Sequence, residues 1–111
     1  MESILTSIKK LLGIAEECRD FDADIIIHIN SALMILTQLG VGPINGFYIQ
    51  DDQALWSDFI PCDTRLDAVR SYVYLKVRTL FDPPQSSVLL DAIKQNLSEM
   101  EWRLTVAAES P

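Results

Sequence analysis

The second predicted helix of this chain is apolar around almost its whole circumference, and this feature constrains the fold most. Its main stripe follows the helical spacing of three and four residues and consists of Ile25, Ile29, Ala32, Leu33, Leu36 and Leu39. The stripe is widened almost to a full turn by Ile26, Ile27, Met34 and Ile35. In aqueous solution, the apolar surface of such a helix must be covered, either by neighbouring helices or by another subunit.

Three further segments have the periodicity of amphipathic helices. The first ends at Gly13 and carries Ile4, Leu5, Ile8, Leu11 and Leu12. Another begins near Thr64, ends at Asp82-Pro83-Pro84, and carries Leu66, Val69, Val73, Val77 and Leu80. The last, after Ser86 and Ser87, carries Leu89, Ile93, Leu97, Met100, Leu104 and Ala107. The sequence therefore predicts a single all-α domain over residues 1–111, a small bundle of about four helices with a long loop between the second and the third.

Polar residues near the helix ends support these boundaries. Asp22 is a suitable N-cap for the second helix, since its carboxylate can accept from an unpaired backbone N–H. Lys9 and Lys10 lie at the end of the first helix, where the helix dipole favours cations. The connection between these two helices, residues 14–21, is predicted to be polar and exposed.

The loop from residue 40 to residue 63 is long for a domain of this size, and loops of this length are often functional. Glycine and proline interrupt helix at its start, residues 47–49 are predicted to be extended, and Asp51 or Asp52 is predicted to cap a short helical turn. The loop contains Phe47, Tyr48, Trp56 and Phe59. These aromatic rings either cover the chain's own core or contact a neighbouring subunit. Together with Ile27 and Met34 they form the predicted subunit or partner interface.

Charge and composition exclude several classes of protein. Sixteen acidic against nine basic residues give a net charge of −7, which disfavours a nucleic-acid clamp and binding to anionic lipid. No apolar run approaches the roughly 20 residues that a membrane-spanning helix needs, so no membrane contact is expected. The two cysteines, Cys18 and Cys62, lack metal-type spacing and are expected to be reduced thiols.

No pattern of catalytic residues is found. His28 is the only histidine, and it is predicted to be a buried or interface imidazole. The alternating Asp20, Asp22 and Asp24 are similar to a calcium loop but lack the glycine that such a loop requires. No nucleophile lies beside a base, and the glycines after residue 39 do not form a phosphate loop. The sequence therefore predicts no catalytic, cofactor-binding or metal site, and no enzymatic activity.

An ordered set of short motifs resembles a known family. They are Thr37-Gln38-Leu39-Gly40-Val41-Gly42, Phe47, Trp56-Ser57-Asp58-Phe59, Tyr72-Val73-Tyr74-Leu75-Lys76-Val77-Arg78, Phe81-Asp82-Pro83-Pro84 and Glu101-Trp102-Arg103-Leu104. In this order and at this chain length, they resemble the small head–tail connector proteins of long-tailed phages, which are also described as possible DNA-packaging proteins.

The resemblance implies a structural role without catalytic residues or a cofactor. Members of the family are mostly α-helical and form a ring, typically twelve-fold, beneath the portal protein of the capsid. Such a ring extends the DNA channel, with DNA only in transit, and docks the next head-completion or tail protein. The implied location is the head–tail junction of the virion, after synthesis in the cytoplasm of the bacterial host.

Two other functions remain open at this point. One is a small acidic cytoplasmic adaptor or regulator that binds a basic protein partner as a monomer or dimer. The other is nucleic-acid binding through the third predicted helix, in which Arg65, Arg70, Lys76 and Arg78 are interleaved with Tyr72 and Tyr74.

Overall fold

Five helices make up the regular secondary structure of the computed structural model, which describes residues 3–60 and 65–109. They are α1 (Ile4–Leu12), α2 (Asp22–Gln38), α3 (Trp56–Phe59), α4 (Arg65–Phe81) and α5 (Ser87–Glu109). Since α3 is a single turn within the connection from α2 to α4, the prediction of a small all-α bundle with a long loop is confirmed. The predicted cap at Thr64 lies outside the described residues.

The central helix of the bundle is α4, which packs against α1, α2 and α5. Leu66, Val69, Val73 and Val77 of its predicted stripe are buried, and so is Tyr72. Leu80, the last residue of that stripe, is instead 46% exposed. The buried residues of α2 are Ile25, Ile29, Ala32, Leu33 and Leu36. Each large aliphatic side chain in this core contributes about 1.5–3 kcal/mol through removal from water. The opposite face of α2 is not enclosed by its own chain, because Ile27 and Met34 are 61% and 57% exposed.

Helix α1 ends at Gly13, as its sequence predicts. The Ser3 side chain caps the first turn by accepting from the backbone N–H of Thr6 at 3.0 Å. Gly13 ends the helix in the left-handed region with φ of 81°, a conformation that glycine adopts without steric cost. Lys10 is exposed at this end, whereas Lys9 is buried with 2% exposure.

The buried Lys9 ammonium stabilises the connection between α1 and α2, residues 14–21. Its Nζ donates to the carbonyl oxygens of Glu16 at 3.1 Å and Cys18 at 2.6 Å, and lies 2.8 Å from Asp22 Oδ1. Among the described residues, this Asp22 oxygen accepts no hydrogen bond of good geometry, so its contact with Lys9 is ionic. The prediction of Asp22 as an N-cap is wrong: α2 has Phe21 at that position and no side-chain cap.

Helix α5 packs chiefly on α4, so only a narrow strip of its predicted stripe is buried. Ile93, Leu97 and Leu104 are at most 7% exposed, whereas Leu89 at the start of the stripe is 48% exposed. The buried Tyr72 hydroxyl of α4 donates to Glu101 Oε2 of α5 at 2.7 Å. This bond and the buried Ile93, Leu97 and Leu104 hold one side of α5 against α4.

Replacing Tyr72 with phenylalanine should lower the free energy of unfolding by about 1–2 kcal/mol, because it removes a hydrogen bond to a charged acceptor. Burial, and then the bond to Glu101, raise the pKa of Tyr72 above its ordinary value of 10.0. The folded state thus holds the phenol proton more tightly than the unfolded state. The resulting stabilisation is complete below pH 10 and is lost as the pH rises further.

Urea unfolding at several pH values between 8 and 11 would measure both effects. The difference in stability between wild type and Tyr72→Phe should shrink above about pH 10. Tyr48→Phe is the matched control, since the Tyr48 ring is 66% exposed. A constant difference across the whole range would contradict the prediction.

Candidate subunit interface

The side chain of Asn30 binds the loop between α2 and α3 to α2. Asn30 of α2 donates from Nδ2 to the carbonyl oxygen of Ile49 at 3.0 Å, and its Oδ1 accepts from the Ile49 N–H at 2.7 Å. The carboxamide thus satisfies both backbone groups of one residue in a segment without regular secondary structure. Ile49 itself is buried, with 2% exposure. Residues 47–49 therefore have a fixed position beside α2.

The far end of the loop is anchored in the core under α1. Ile4 N–H donates to the carbonyl oxygen of Ala54 at 2.9 Å, and Trp56 Nε1–H donates to the Ser7 hydroxyl at 2.8 Å. Trp56 and Phe59 are only 2% and 3% exposed. Of the two alternatives for these rings, the structure supports coverage of the chain's own core. They are therefore corrected from candidate interface residues to core residues.

The cap of α3 also differs from the prediction. Asp58 Oδ2 accepts from the Leu55 N–H at 2.9 Å, whereas Asp51 accepts from the Gln53 N–H. Asp52 binds the Gln53 side chain and, at 3.2 Å, Arg19. The bond from Gln53, followed by that from Arg19, lowers the pKa of Asp52. These contacts are solvent-exposed and hold the turn only weakly.

The other four predicted interface residues do reach the surface on the α2 side. Tyr48 is 66% exposed, and the exposed Ile27 and Met34 lie on the outer face of α2. Phe47 is half-buried, with its ring centroid 5.5 Å from that of Phe59. Sequence reasoning did not include Ile44, which is 97% exposed in the same loop. These side chains form a largely apolar surface on α2 and the loop.

Between the loop and α2 lies an open groove of about 420 Å³, here called the α2–loop groove. Its walls include Met34, Thr37, Gln38, Asn45, Phe47 and Tyr48. Met34, Phe47 and Tyr48 provide apolar contact area, whereas the amides of Gln38 and Asn45 offer hydrogen-bond donors and acceptors. The structure therefore brings Met34, Phe47 and Tyr48 together around one cavity, while Ile27 lies two turns before Met34 on the same helix face.

The surface around the α2–loop groove is built from a segment without charged side chains. No Asp, Glu, Lys or Arg occurs from residue 25 to residue 50, although such residues make up 23% of the chain. Depletion of charge is typical of the centre of protein–protein interfaces. The absence of charged residues can be read directly from the sequence, and it identifies this surface even when the aromatic residues are not considered.

The cations of α4 do not form one basic face. At roughly 100° of rotation per residue, Arg65 and Lys76 share one side of the helix, whereas Arg70 and Arg78 point to other sides. Arg78 lies 3.4 Å from the Tyr74 hydroxyl, and all four cationic side chains are partly buried. This arrangement offers no continuous track for a phosphate backbone and does not favour the nucleic-acid alternative.

His28 is half-buried and packs against an aromatic ring. The imidazole meets Phe81 edge-on with centroids 6.4 Å apart, and Phe21 packs on the same Phe81 ring at 5.6 Å. Within the described ranges, no cluster of three or more His, Cys, Asp or Glu residues is placed to hold a metal ion. None of the helices in this part of the chain is both long and apolar enough to cross a bilayer.

Comparison with protein-family models gives one assignment. A model described as phage connector protein matches residues 4–111, which is nearly the whole chain. The searches of curated proteins and of solved structures gave no significant match.

Proposed function

Because this chain belongs to the phage connector protein family, we propose that it is a non-enzymatic virion protein that forms a ring beneath the portal. In this role it extends the DNA channel at the head–tail junction and docks the next head-completion or tail protein. The observation that carries the proposal is the uncharged and largely apolar surface formed by the outer face of α2 and the α2–loop groove.

Charge is the first reason to assign this surface to contacts between copies. Each copy carries a net charge of −7, so identical copies repel one another over most of their surface. The segment from residue 25 to residue 50 adds no charge to that repulsion. Two copies can therefore approach most closely where this segment forms the surface.

Exposed apolar area is the second reason. Ile27, Met34 and Tyr48 are each more than half exposed in the single chain. Removal of such side chains from water favours association by about 25 cal/mol per Å² of apolar area. A neighbouring copy would cover this exposed face of α2.

An acidic subunit is also suited to a DNA conduit. DNA and the subunits have the same sign of charge, so a channel of such subunits lacks the excess of lysine and arginine that retains nucleic acid. DNA would pass through the ring in transit rather than bind to it.

Substitution of Met34 by glutamate tests this function. Wild type should form ring-sized assemblies at high concentration or on added portal protein, whereas Met34→Glu should remain monomeric under the same conditions. The matched control is Val88→Glu, which places the same charge at a 79% exposed apolar position on α5. Sedimentation velocity and negative-stain microscopy would measure assembly, and circular dichroism would confirm folding.

Two outcomes would contradict the proposal. A wild-type chain that stays monomeric at high concentration, both alone and with portal, would exclude ring formation and support the acidic adaptor instead. Normal assembly of Met34→Glu would show that the α2–loop groove lies outside the subunit contact.

A further inference from the structure

A second apolar surface lies on α5, away from the α2–loop groove. Trp102 is 66% exposed and Val106, one turn later, is 43% exposed. Both lie on the side of α5 opposite the buried Ile93, Leu97 and Leu104. This surface is here called the Trp102 face. Sequence periodicity did not select it, because it lies outside the apolar stripe of the helix.

The Trp102 face has a fixed direction. The bond between the Tyr72 hydroxyl and Glu101, together with the buried Ile93, Leu97 and Leu104, holds the opposite side of α5 on α4, so Trp102 points away from α4. Glu99, one turn before Trp102, forms an ion pair with Arg103, and the Glu101 carboxylate accepts from Tyr72. Tryptophan is among the residues that most often act as interface hot spots, and Trp102 is exposed on a helix that its core contacts hold in place.

We propose that the Trp102 face of one copy docks into the α2–loop groove of the next copy. This inference rests on the proposed ring and names the two surfaces that form its repeated contact. Met34, Phe47 and Tyr48 would receive the indole, and the side-chain carbonyl of Gln38 or Asn45 would accept from its N–H.

The negative charge of the chain and the lack of charge around the groove favour a second copy as the occupant of the groove. An acidic copy is repelled by acidic surfaces but not by the uncharged segment from residue 25 to residue 50. On the Trp102 face, exposed apolar side chains lie beside the Glu99–Arg103 ion pair. The two surfaces therefore match in their exposed apolar area.

The fold places the two surfaces so that contacts propagate from copy to copy. Helices α2 and α5 each pack on α4, and the outer face of each points away from it. A copy thus offers its α2–loop groove to one neighbour and its Trp102 face to another. Contacts between two different surfaces are heterologous and generate a closed ring when the rotation between copies is suitable.

Trp102→Ser and Val88→Ser form a matched pair for the first test. Trp102→Ser should raise the concentration for half-assembly at least about tenfold, as expected for loss of a hot spot. Val88→Ser removes an exposed apolar side chain from the other end of α5 and should leave assembly unchanged. If Trp102→Ser forms rings at the wild-type concentration, the inference is overturned. This holds even if those rings no longer bind the portal.

A mixture of two blocked variants separates this inference from the ring itself. Trp102→Glu keeps an intact α2–loop groove, and Met34→Glu keeps an intact Trp102 face. Each variant should be monomeric by itself, and the mixture should give a heterodimer and nothing larger. A mixture that stays monomeric while wild type forms rings would overturn the pairing of these surfaces and leave the ring standing. A heterodimer from a chain that forms no rings would keep the pairing and overturn the proposed function.

Discussion

Replacing Lys9 with methionine should lower the free energy of unfolding by about 3–5 kcal/mol, the usual cost of removing one partner from a buried ion pair. The methionine would fill much of the same space but would leave the carbonyl oxygens of Glu16 and Cys18 without their donor and Asp22 Oδ1 without the Lys9 charge. A domain of this size is stable by only about 5–15 kcal/mol, so the variant would be close to unfolding at 37 °C.

Chemical denaturation followed by circular dichroism would measure this loss. Lys10→Met, at the adjacent exposed position, should change stability by less than about 1 kcal/mol, because interactions of exposed charges are screened by water. The double variant Lys9→Met/Asp22→Asn should recover the ionic part of the loss but not the part due to the two carbonyl oxygens. Equal stability of the Lys9 and Lys10 variants would show that the buried ammonium does not hold the connection between α1 and α2.

Replacing Gly42 with alanine should lower the free energy of unfolding by about 2–5 kcal/mol, through two effects. The residue has φ of 91°, in the region where an L-residue is strained by about 1–2 kcal/mol. A Cβ at this position would also lie 2.5 Å from Phe59 Cε1 and 2.7 Å from Phe59 Cζ. Since Phe59 is buried, its ring can move aside only by disturbing the core, which adds about 1–3 kcal/mol.

Gly46→Ala separates the two effects. Gly46 has φ of 89°, but a Cβ there would meet nothing within 4 Å, so only the backbone strain remains. Urea unfolding should therefore show a clearly larger loss for Gly42→Ala, and Phe59→Leu in the Gly42→Ala background should restore part of it. Equal losses for the two glycine variants would contradict close packing of the turn on Phe59.

The helices of this chain were predictable because their signals are local. The apolar spacing of α2 and α4 and the Gly13 end of α1 follow from residues within a few positions of one another. The same local reasoning failed at Asp22, where a good capping residue instead pairs with Lys9 from the preceding helix. Tertiary contact outweighed local preference at that position.

The candidate interface was predictable only in part, for the same physical reason. Trp56 is a core residue because its indole meets Ser7, 49 positions earlier in the chain, and periodicity contains no information on such a pairing. The exposure of Tyr48 and Met34 likewise depends on how Asn30 positions the loop. The Trp102 face could not be recognised from the stripe of α5, because it lies on the opposite side of that helix.

The two hydrogen bonds between the Asn30 side chain and the Ile49 backbone have a consequence for the kinetics of assembly. Since the loop is already ordered against α2 in a lone subunit, its conformational entropy is lost during folding and not at docking. Rigid partners associate without the delay and the free-energy cost of ordering a segment on contact. Growth of an oligomer from such preformed subunits would be limited by diffusion and orientation of the copies.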